Sequence, residues 1–380
     1  NAEKYKEVYK IGEMISIHPK SAEFYQAINL MDKPTFSQAV ALFAKAAARG
    51  DGYAHTRIGY HYYYGIDVDK DYGKAIEYFN KGMAMGDGSA FLYMGYCYYF
   101  GNSVQRDDKE ALKYFQKAAD KNIADAVEKI GDMYYNGYGV TENEPTASEY
   151  YLKAAEMEDK SAMQKIGRMY WLGKGVKVDF AKALYWFQQS AKRGYSDGML
   201  YLGHLYYDGS GVEKDRSQAM VWYKKAADNY NAAAMYDIGK MYERGIGETA
   251  NGKIAAEWYL KGAQAGDVKS RLAIGEFYEL GTKGIAKDLT EAQLWYTLAS
   301  EDGNEDAMIK LAKLLMVNSP VDGAGAMKWL LKASEKGRKP EAMDSIALIY
   351  RYGTLGFAKD KTKAKEWEAK AAASRAAGNK

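Results

Sequence analysis

Four histidines (His18, His55, His61 and His204) and one cysteine, Cys97, are the residues of this 380-residue chain best suited to nucleophilic, proton-transfer or metal chemistry. A helical metal site needs two ligands three or four residues apart, and no two of these histidines have that spacing or join a His-Glu-x-x-His pattern. His61 and Cys97 occupy equivalent places 36 residues apart, which raises a Cys-His dyad. On adjacent helices, whose axes stand about 8–10 Å apart, the two side chains are too distant for a direct hydrogen bond. Gly-x-Gly sequences at 137, 173 and 209 each follow an apolar helical segment, whereas a dinucleotide loop follows a strand; they read as interhelical turns. The chain nominates no catalytic residue, no metal ligands and no cofactor. Its distinctive chemistry is aromatic: the stretch "IGYHYYYGIDV", Ile58 to Val68, packs four tyrosines and His61 between two glycines.

The elements that position these rings repeat. "IGYHYYYG" returns as "MGYCYYFG", "IGDMYYNG", "IGRMYWLG", "LGHLYYDG", "IGKMYERG" and "IGEFYELG", with glycines at 59, 95, 131, 167, 203, 239 and 275, each 36 residues after the last. Two looser copies carry Ala312 and Ala347 in place of the glycine. A second segment keeps the same beat, as in "KAIEYFNKGMAMGD" and "KALYWFQQSAKRG". Both segments are apolar with a period of 3.6, so each unit holds two short helices. Asp71, Asp107, Asn143, Asp179, Asp215, Asn251, Asp288, Asp322 and Asp360 precede the second segments as N-caps, and Thr35 does so for an earlier copy. First helices close at Gly65, Gly101, Gly137, Gly173, Gly209, Gly245 or Gly281, second helices at Gly50, Gly86, Gly194, Gly266, Gly303 or Gly337.

Composition agrees. With 47% apolar residues the chain can bury a large core, and 53 basic against 50 acidic residues leave a formal charge of +3 spread along the length. No basic stripe of the kind nucleic acid demands is present, and no run of about 18 apolar residues could span a membrane. The lone Cys97 rules out an internal disulfide framework. The start "NAEKYKEVYK" lacks Met, so a native start removed as a leader or by engineering is expected, with residues 1–2 read as a cloning scar.

The pattern Ala, three residues, Leu or Ile, Gly, two residues, Tyr, then Gly-x-Gly-Val, Asp, Ala, an aromatic and Lys-Ala-Ala resembles the Sel1-like repeat, a relative of the tetratricopeptide repeat. The stretch "SAMQKIGRMYWLGKGVKVDFAKALYWFQQSAKRG", Ser161 to Gly194, is the fullest copy, and the resemblance covers about residues 22 to 374. It implies an all-α fold, a right-handed superhelix or solenoid of about ten helix pairs, with first helices lining a concave face. It also implies a bacterial, non-catalytic scaffold or adaptor. The expected organisation is an N-terminal capping helix at 1–21, a degenerate first repeat at 22–53, nine units over 54–360 and a C-terminal capping helix and tail at 361–380. The chain departs from the subgroup whose repeats carry disulfides, since Cys97 has no partner, so a β-lactam-binding role is not implied.

Within this frame the tyrosines separate. Tyr62 recurs as Tyr98, Tyr134, Tyr170, Tyr206, Tyr242, Tyr278 and Tyr350, and is read as a packing residue. His61 stands where Cys97, Met133, Met169, Leu205, Met241, Phe277, Leu314 and Ile349 stand elsewhere, an apolar seam that makes it a core histidine. Other places change character along the array although the fold does not. The Tyr63 place reads Tyr99, Tyr135, Trp171 and Tyr207, then Glu243 and Glu279; the Tyr60 place reads Tyr96, Asp132, Arg168, His204, Lys240 and Glu276; the Tyr64 place begins with Phe100. With Tyr93 these give a candidate partner-binding groove of Tyr60, Tyr63, Tyr64, Tyr93, Tyr96, Tyr99, Phe100, Tyr135, Arg168, Trp171, His204 and Tyr207. The alternative is that the rings only stack along the array. Beyond them Lys129, Lys165, Glu128 and Asp132 interleave as a mixed polar surface that suits a protein or peptide better than a phosphate backbone.

A single 36-residue unit cannot offset its own ordering entropy, so neighbours hold one another and both ends need covers. The expectations are a monomer that binds a partner protein or peptide, with cell-wall glycan as the alternative ligand. A periplasmic or secreted location is expected, with the cytoplasm as the alternative.

Overall fold

Each second helix begins where a side-chain oxygen meets an otherwise orphaned backbone N–H. In the computed structural model, which describes residues 36–66, 68–281, 284–317, 320–335 and 339–378, all nine expected caps make that bond; Asp71 accepts from Lys74 N at 3.0 Å and Asn251 from Ile254 N at 3.1 Å. Most first helices use the same device, which the sequence reading missed: Asp51, Asp87, Asp159, Asn231, Asp267 and Asn304 accept from the first turn that follows each of them. At the other end, Gly65 and its six equivalents all take the left-handed conformation, where a Cβ would be strained. Thr35 and Gly337 lie outside the described residues, as do the proposed 1–21 helix and His18.

The described residues form nineteen helices. They are α1 (Phe36–Ala48), α2 (Gly52–Tyr64), α3 (Tyr72–Ala84), α4 (Gly88–Phe100), α5 (Asp108–Ala119), α6 (Ala124–Asn136), α7 (Glu144–Glu156), α8 (Lys160–Leu172), α9 (Phe180–Lys192), α10 (Ser196–Asp208), α11 (Arg216–Asp228), α12 (Ala232–Arg244), α13 (Gly252–Gln264), α14 (Val268–Leu280), α15 (Leu289–Glu301), α16 (Glu305–Val317), α17 (Gly323–Ser334), α18 (Pro340–Tyr352) and α19 (Lys361–Gly378). No strand occurs among these residues, so the fold is all-α. Even-numbered helices are the first helices of their repeats. The chain divides into two compact units, Asn1–Gln189 and Ser190–Lys380, each a stack of helix pairs. In the first unit α2 packs on α3 and also directly on α4; in the second α12 packs on α13 and also on α14. At these two places first helices of successive repeats touch, which lets their side chains share one surface within the unit.

The helix-pair core rests on one recurrent contact. A ring of the second helix lies on the bare backbone of the first: Phe79 on Gly59, Phe115 on Gly95, Tyr151 on Gly131, Phe187 on Gly167, Tyr223 on Gly203, Tyr259 on Gly239 and Tyr296 on Gly275. A Cβ on Gly131 would stand 2.7 Å from the Tyr151 ring, closer than van der Waals contact allows. All seven rings are buried, each worth about 1.5–3 kcal/mol as apolar surface removed from water. The seam expected for His61 is present: His61 is buried in line with Cys97, Met133, Met169, Leu205 and Met241. The Tyr62 row packs as read, ring on ring against the second helix of its own repeat, with Tyr62 on Tyr78 at 5.9 Å, Tyr98 on Tyr114 at 5.4 Å and Tyr134 on Tyr150 at 5.7 Å.

Candidate functional site

Rings from α2 and α4 join into one system on the first-helix face of the first unit. Tyr60 lies 4.6 Å from Tyr64 and 5.5 Å from Tyr93 on the next first helix; Tyr93 lies 6.2 Å from Tyr96, and Tyr96 stacks on Phe100 at 6.1 Å. Helical spacing puts Tyr60 with Tyr64, and Tyr93 with Tyr96 and Phe100, on common faces, and the contact between α2 and α4 closes the gap. Burial sorts the members. Tyr60 is 8% exposed, while Tyr64 is 47% and Phe100 60% exposed, so the outer edge of the system meets solvent. Burial raises the hydroxyls of Tyr64, Tyr93 and Tyr96 above the ordinary phenol value, with the Asp125 carboxylate contributing further. They stay neutral and uncharged against any ligand.

A second set of sequence candidates is tied to the loop of the following repeat. Tyr63, 6% exposed, accepts from Asn102 Nδ2 at 2.8 Å. Tyr99 packs on Tyr138 at 5.8 Å under the Arg106 guanidinium, and Tyr135 accepts from Lys174 Nζ at 3.0 Å. Asn102, Tyr138 and Lys174 each stand 39 residues after their partner, so this row stitches repeats together. Arg168 and Trp171 are half-buried on α8. His204 and Tyr207 lie on α10 in the second unit and form a separate constellation: His204 Nδ1 is 2.9 Å from Tyr223 Oη, and Arg216 lies over Tyr207 at 5.7 Å.

The polar stretch beyond the rings neutralises itself. Glu128, 1% exposed on α6, is held by Lys165 of α8, by Lys129 Nζ at 2.8 Å and by Ser161 Oγ at 3.0 Å; Asp132 takes Lys129 at 3.1 Å, Lys165 at 2.5 Å and the Tyr151 hydroxyl at 2.7 Å. Against desolvation, Lys165 and Lys129 hold Asp132 below the usual carboxylate range. The network joins α6 to α8 and uses up charges that the sequence alone presented as available to a partner.

Cys97, His61 and His204 are all tuned away from nucleophilic or proton-transfer work near neutral pH. Burial pushes the Cys97 thiol up to about 12, the reverse of an activated thiolate, and pushes His61 down to about 3 with Arg57 adding to the effect. His204 is lowered to about 4, again chiefly by desolvation. Among the described residues no three His, Cys, Asp or Glu side chains converge as a metal site, and no helix is long and apolar enough to cross a membrane.

The Sel1 repeat family model matches ten segments: 36–51, 52–87, 90–123, 124–159, 160–195, 196–231, 232–267, 269–304, 306–337 and 340–374. The chain belongs to the Sel1 repeat family. The first match holds α1 alone, and the others each take in a first helix and the second helix after it. Among solved structures the chain is similar to c5321, a protective antigen of uropathogenic Escherichia coli displaying an SLR fold, with 30% identity, 98% of this chain and 79% of that chain covered, and a TM-score of 0.56. It is also similar to a Sel1 repeat protein from Oxalobacter formigenes, with 33% identity, 65% and 99% covered, and a TM-score of 0.60. A comparison with curated proteins finds no match. Sel1 repeat solenoids are in general non-catalytic frames for protein interaction.

Proposed function

We propose that this Sel1 repeat protein is an adaptor that holds a segment of a partner protein on the first-helix face of its first unit. The observation that carries the reading is the ring system running from Tyr60 and Tyr64 through Tyr93 and Tyr96 to Phe100, whose outer members are open to solvent. The fold does not require aromatics there: the Phe100 place is filled by Asn136, Asp208 and Arg244 in other repeats, which pack the same way. Rigid rings supply contact area at small entropic cost, which is why they concentrate in binding hot spots. Tyr63, Tyr99 and Tyr135 serve this surface by fixing the repeats that carry it, and Arg168 and Trp171 extend it along α8.

The test is capture from native lysate and envelope fractions by the wild-type chain and by a Tyr64→Ser, Phe100→Ser variant, both checked by circular dichroism. These two side chains are the exposed ones, so the variant keeps the core. Partners held by the wild type and lost by the variant support the reading, while identical partner sets return the rings to a packing role. A saturable fluorescence response to soluble peptidoglycan fragments, lost in the same variant, would replace the protein partner with a glycan.

A further inference from the structure

The small net charge of the chain is unevenly divided along it. From Gly323 to the C-terminus thirteen basic residues stand against six acidic ones, a formal +7, while everything before Gly323 carries −4. The carboxylates of this stretch do not absorb the excess. Asp344, Asp360 and Glu368 pair with Arg375, Lys363 and Arg351, whereas Lys328, Lys332, Lys359, Lys361, Lys365 and Lys370 are exposed and make no hydrogen bond or ion pair among the described residues.

The cations are joined by what they stand on. Trp329 of α17, Tyr350 of α18 and Trp367 of α19 pack against one hydrophobic cluster. Lys328 and Lys332 lie over Trp329 at 5.7 and 5.1 Å, Lys363 over Tyr350 at 5.2 Å and Lys370 over Trp367 at 4.1 Å. Each of these lysines covers a ring and still presents its ammonium to water. Leu331, 41% exposed, shares the outward face of α17 with Lys328 and Lys332. Other second helices dilute such a face with acid: the Lys328 place holds Glu77, Glu149 and Glu257 in earlier repeats.

We propose that this face of α17 and α19 docks on the surface of an anionic lipid bilayer, with the lysines at the phosphates and Leu331 and the indole edges at the headgroup boundary. A fluid bilayer offers phosphate at any spacing, so lysines spread over two helices and the loop before α19 need no register with it. Indoles and a leucine among the cations suit such an interface, whereas a phosphodiester backbone is held by the cations alone. Among the described residues no helix is long and apolar enough to cross a membrane, so the attachment is electrostatic, reversible and weakened by salt. It is independent of the aromatic partner surface in the first unit.

The test is sedimentation of the full chain with vesicles of phosphatidylcholine alone and of phosphatidylcholine with about 30% phosphatidylglycerol. The variant Lys328→Gln, Lys332→Gln, Lys361→Gln, Lys365→Gln removes four exposed cations from the face. Its control, Lys109→Gln, Lys113→Gln, Lys117→Gln, Lys121→Gln, lowers the net charge equally at exposed lysines of the first unit. Both are first shown to melt like the wild type. The wild type and the control should bind the anionic vesicles at least about tenfold more tightly than the neutral ones and lose that preference as salt rises from about 0.1 M to about 0.5 M, while the first variant should bind them at least about tenfold more weakly. No preference for the anionic vesicles, or an equal loss in variant and control, would overturn the proposal. So would a chain that ignores both vesicles but binds a double-stranded oligonucleotide through the same four lysines, which would assign the face to nucleic acid.

Discussion

Tyr259 on α13 reaches across the bare backbone of Gly239 and donates its phenol to Glu243 Oε2 on α12 at 2.7 Å. The same relation recurs as Tyr296 to Glu279 at 2.6 Å and, one helical turn earlier on the first helix, as Tyr151 to Asp132 at 2.7 Å and Tyr223 with His204 at 2.9 Å. Where the second helix carries Phe79, Phe115 or Phe187 instead, the first helix carries Tyr63, Tyr99 or Trp171 at the Glu243 place. The chain thus uses two matched solutions, a tyrosine with a polar acceptor or a phenylalanine with an aromatic neighbour. Tyr259→Phe should cost about 1–2 kcal/mol, and Phe79→Tyr, which buries a hydroxyl among rings, about 1–3 kcal/mol. The double variant Tyr259→Phe, Glu243→Tyr should recover most of the first loss. Denaturant melts of the wild type, Phe79→Tyr, Tyr259→Phe, Glu243→Tyr and the double variant check this, and a double effect equal to the sum of the two single ones would show that the pairs are not matched.

That relation also marks what was legible in the sequence. The glycine beat, the nine second-helix caps and the left-handed glycines were readable because each depends on residues within one turn, and the His61 seam because it depends only on register. The change from Tyr63 to Glu243 and Glu279 looked like a change of groove chemistry. There Glu243 and Glu279 accept from Tyr259 and Tyr296, 16 and 17 positions away on the other helix, a pairing that spacing within one helix does not show. Glu128 and Lys165 were hidden for the same reason: their pairing joins helices two elements apart, so spacing within one helix could not show that they consume each other.

Glu128 should be the most sensitive charge in the first unit. Its removal by Glu128→Ala leaves Asp132 alone to pair both Lys165 and Lys129 in a half-buried site and should cost about 1–3 kcal/mol. Lys113→Ala, which breaks an exposed pair with Glu110 at 2.7 Å, should leave stability essentially unchanged, because solvent screens the pair. Equal effects of the two substitutions in thermal melts would contradict the assigned burial.

Acid should destabilise the chain through His61. Its folded-state pKa near 3 lies below the ordinary value of 6.5, so the unfolded chain binds the proton first. Stability is lost as pH falls below about 6.5, by roughly 1.4 kcal/mol per pH unit once the unfolded histidine is protonated, until the folded value is reached. Asp237, raised to about 6 chiefly by burial, acts in the opposite sense and lends stability that is full below about 3.8 and lost as pH rises through 6. His61→Met, the residue found at the equivalent Met133, removes the first contribution and leaves the other. The variant should therefore hold its melting temperature better than the wild type between pH 6.5 and 4, and parallel curves would refute the assignment.

Tyr230 is the site of a correctable strain. It is 80% exposed and takes φ 59° in the turn after α11, where Gly50, Gly86, Gly194, Gly266 and Gly303 stand in other repeats. A non-glycine residue in this region costs about 1 kcal/mol or somewhat more, and nothing buried is lost by removing the ring. Tyr230→Gly should raise the melting temperature, by an amount corresponding to up to about 1 kcal/mol after allowing for the greater freedom glycine gives the unfolded chain. A lower melting temperature would mean that the exposed ring makes a contact of its own.

The end of the array supplies the last prediction. Helix α19 packs on α18, buries Ala364 and Ala371, and is pinned by Arg351 to Glu368 and by Arg375 to Asp344. Trp367 covers the cluster that contains Ile346 and Ile349, with the Lys370 ammonium 4.1 Å from its ring centre. Deleting residues 361–380 should uncover that cluster, and in a stacked array an uncovered terminal repeat loses its stabilising neighbour first. The truncated chain should melt earlier, expose amides of α16 to α18 to hydrogen exchange before those of α10 to α14, and self-associate on sizing columns. If it stays monomeric and exchanges uniformly, α19 does not serve as a cap, and the last repeat is held by its contacts with α17 alone.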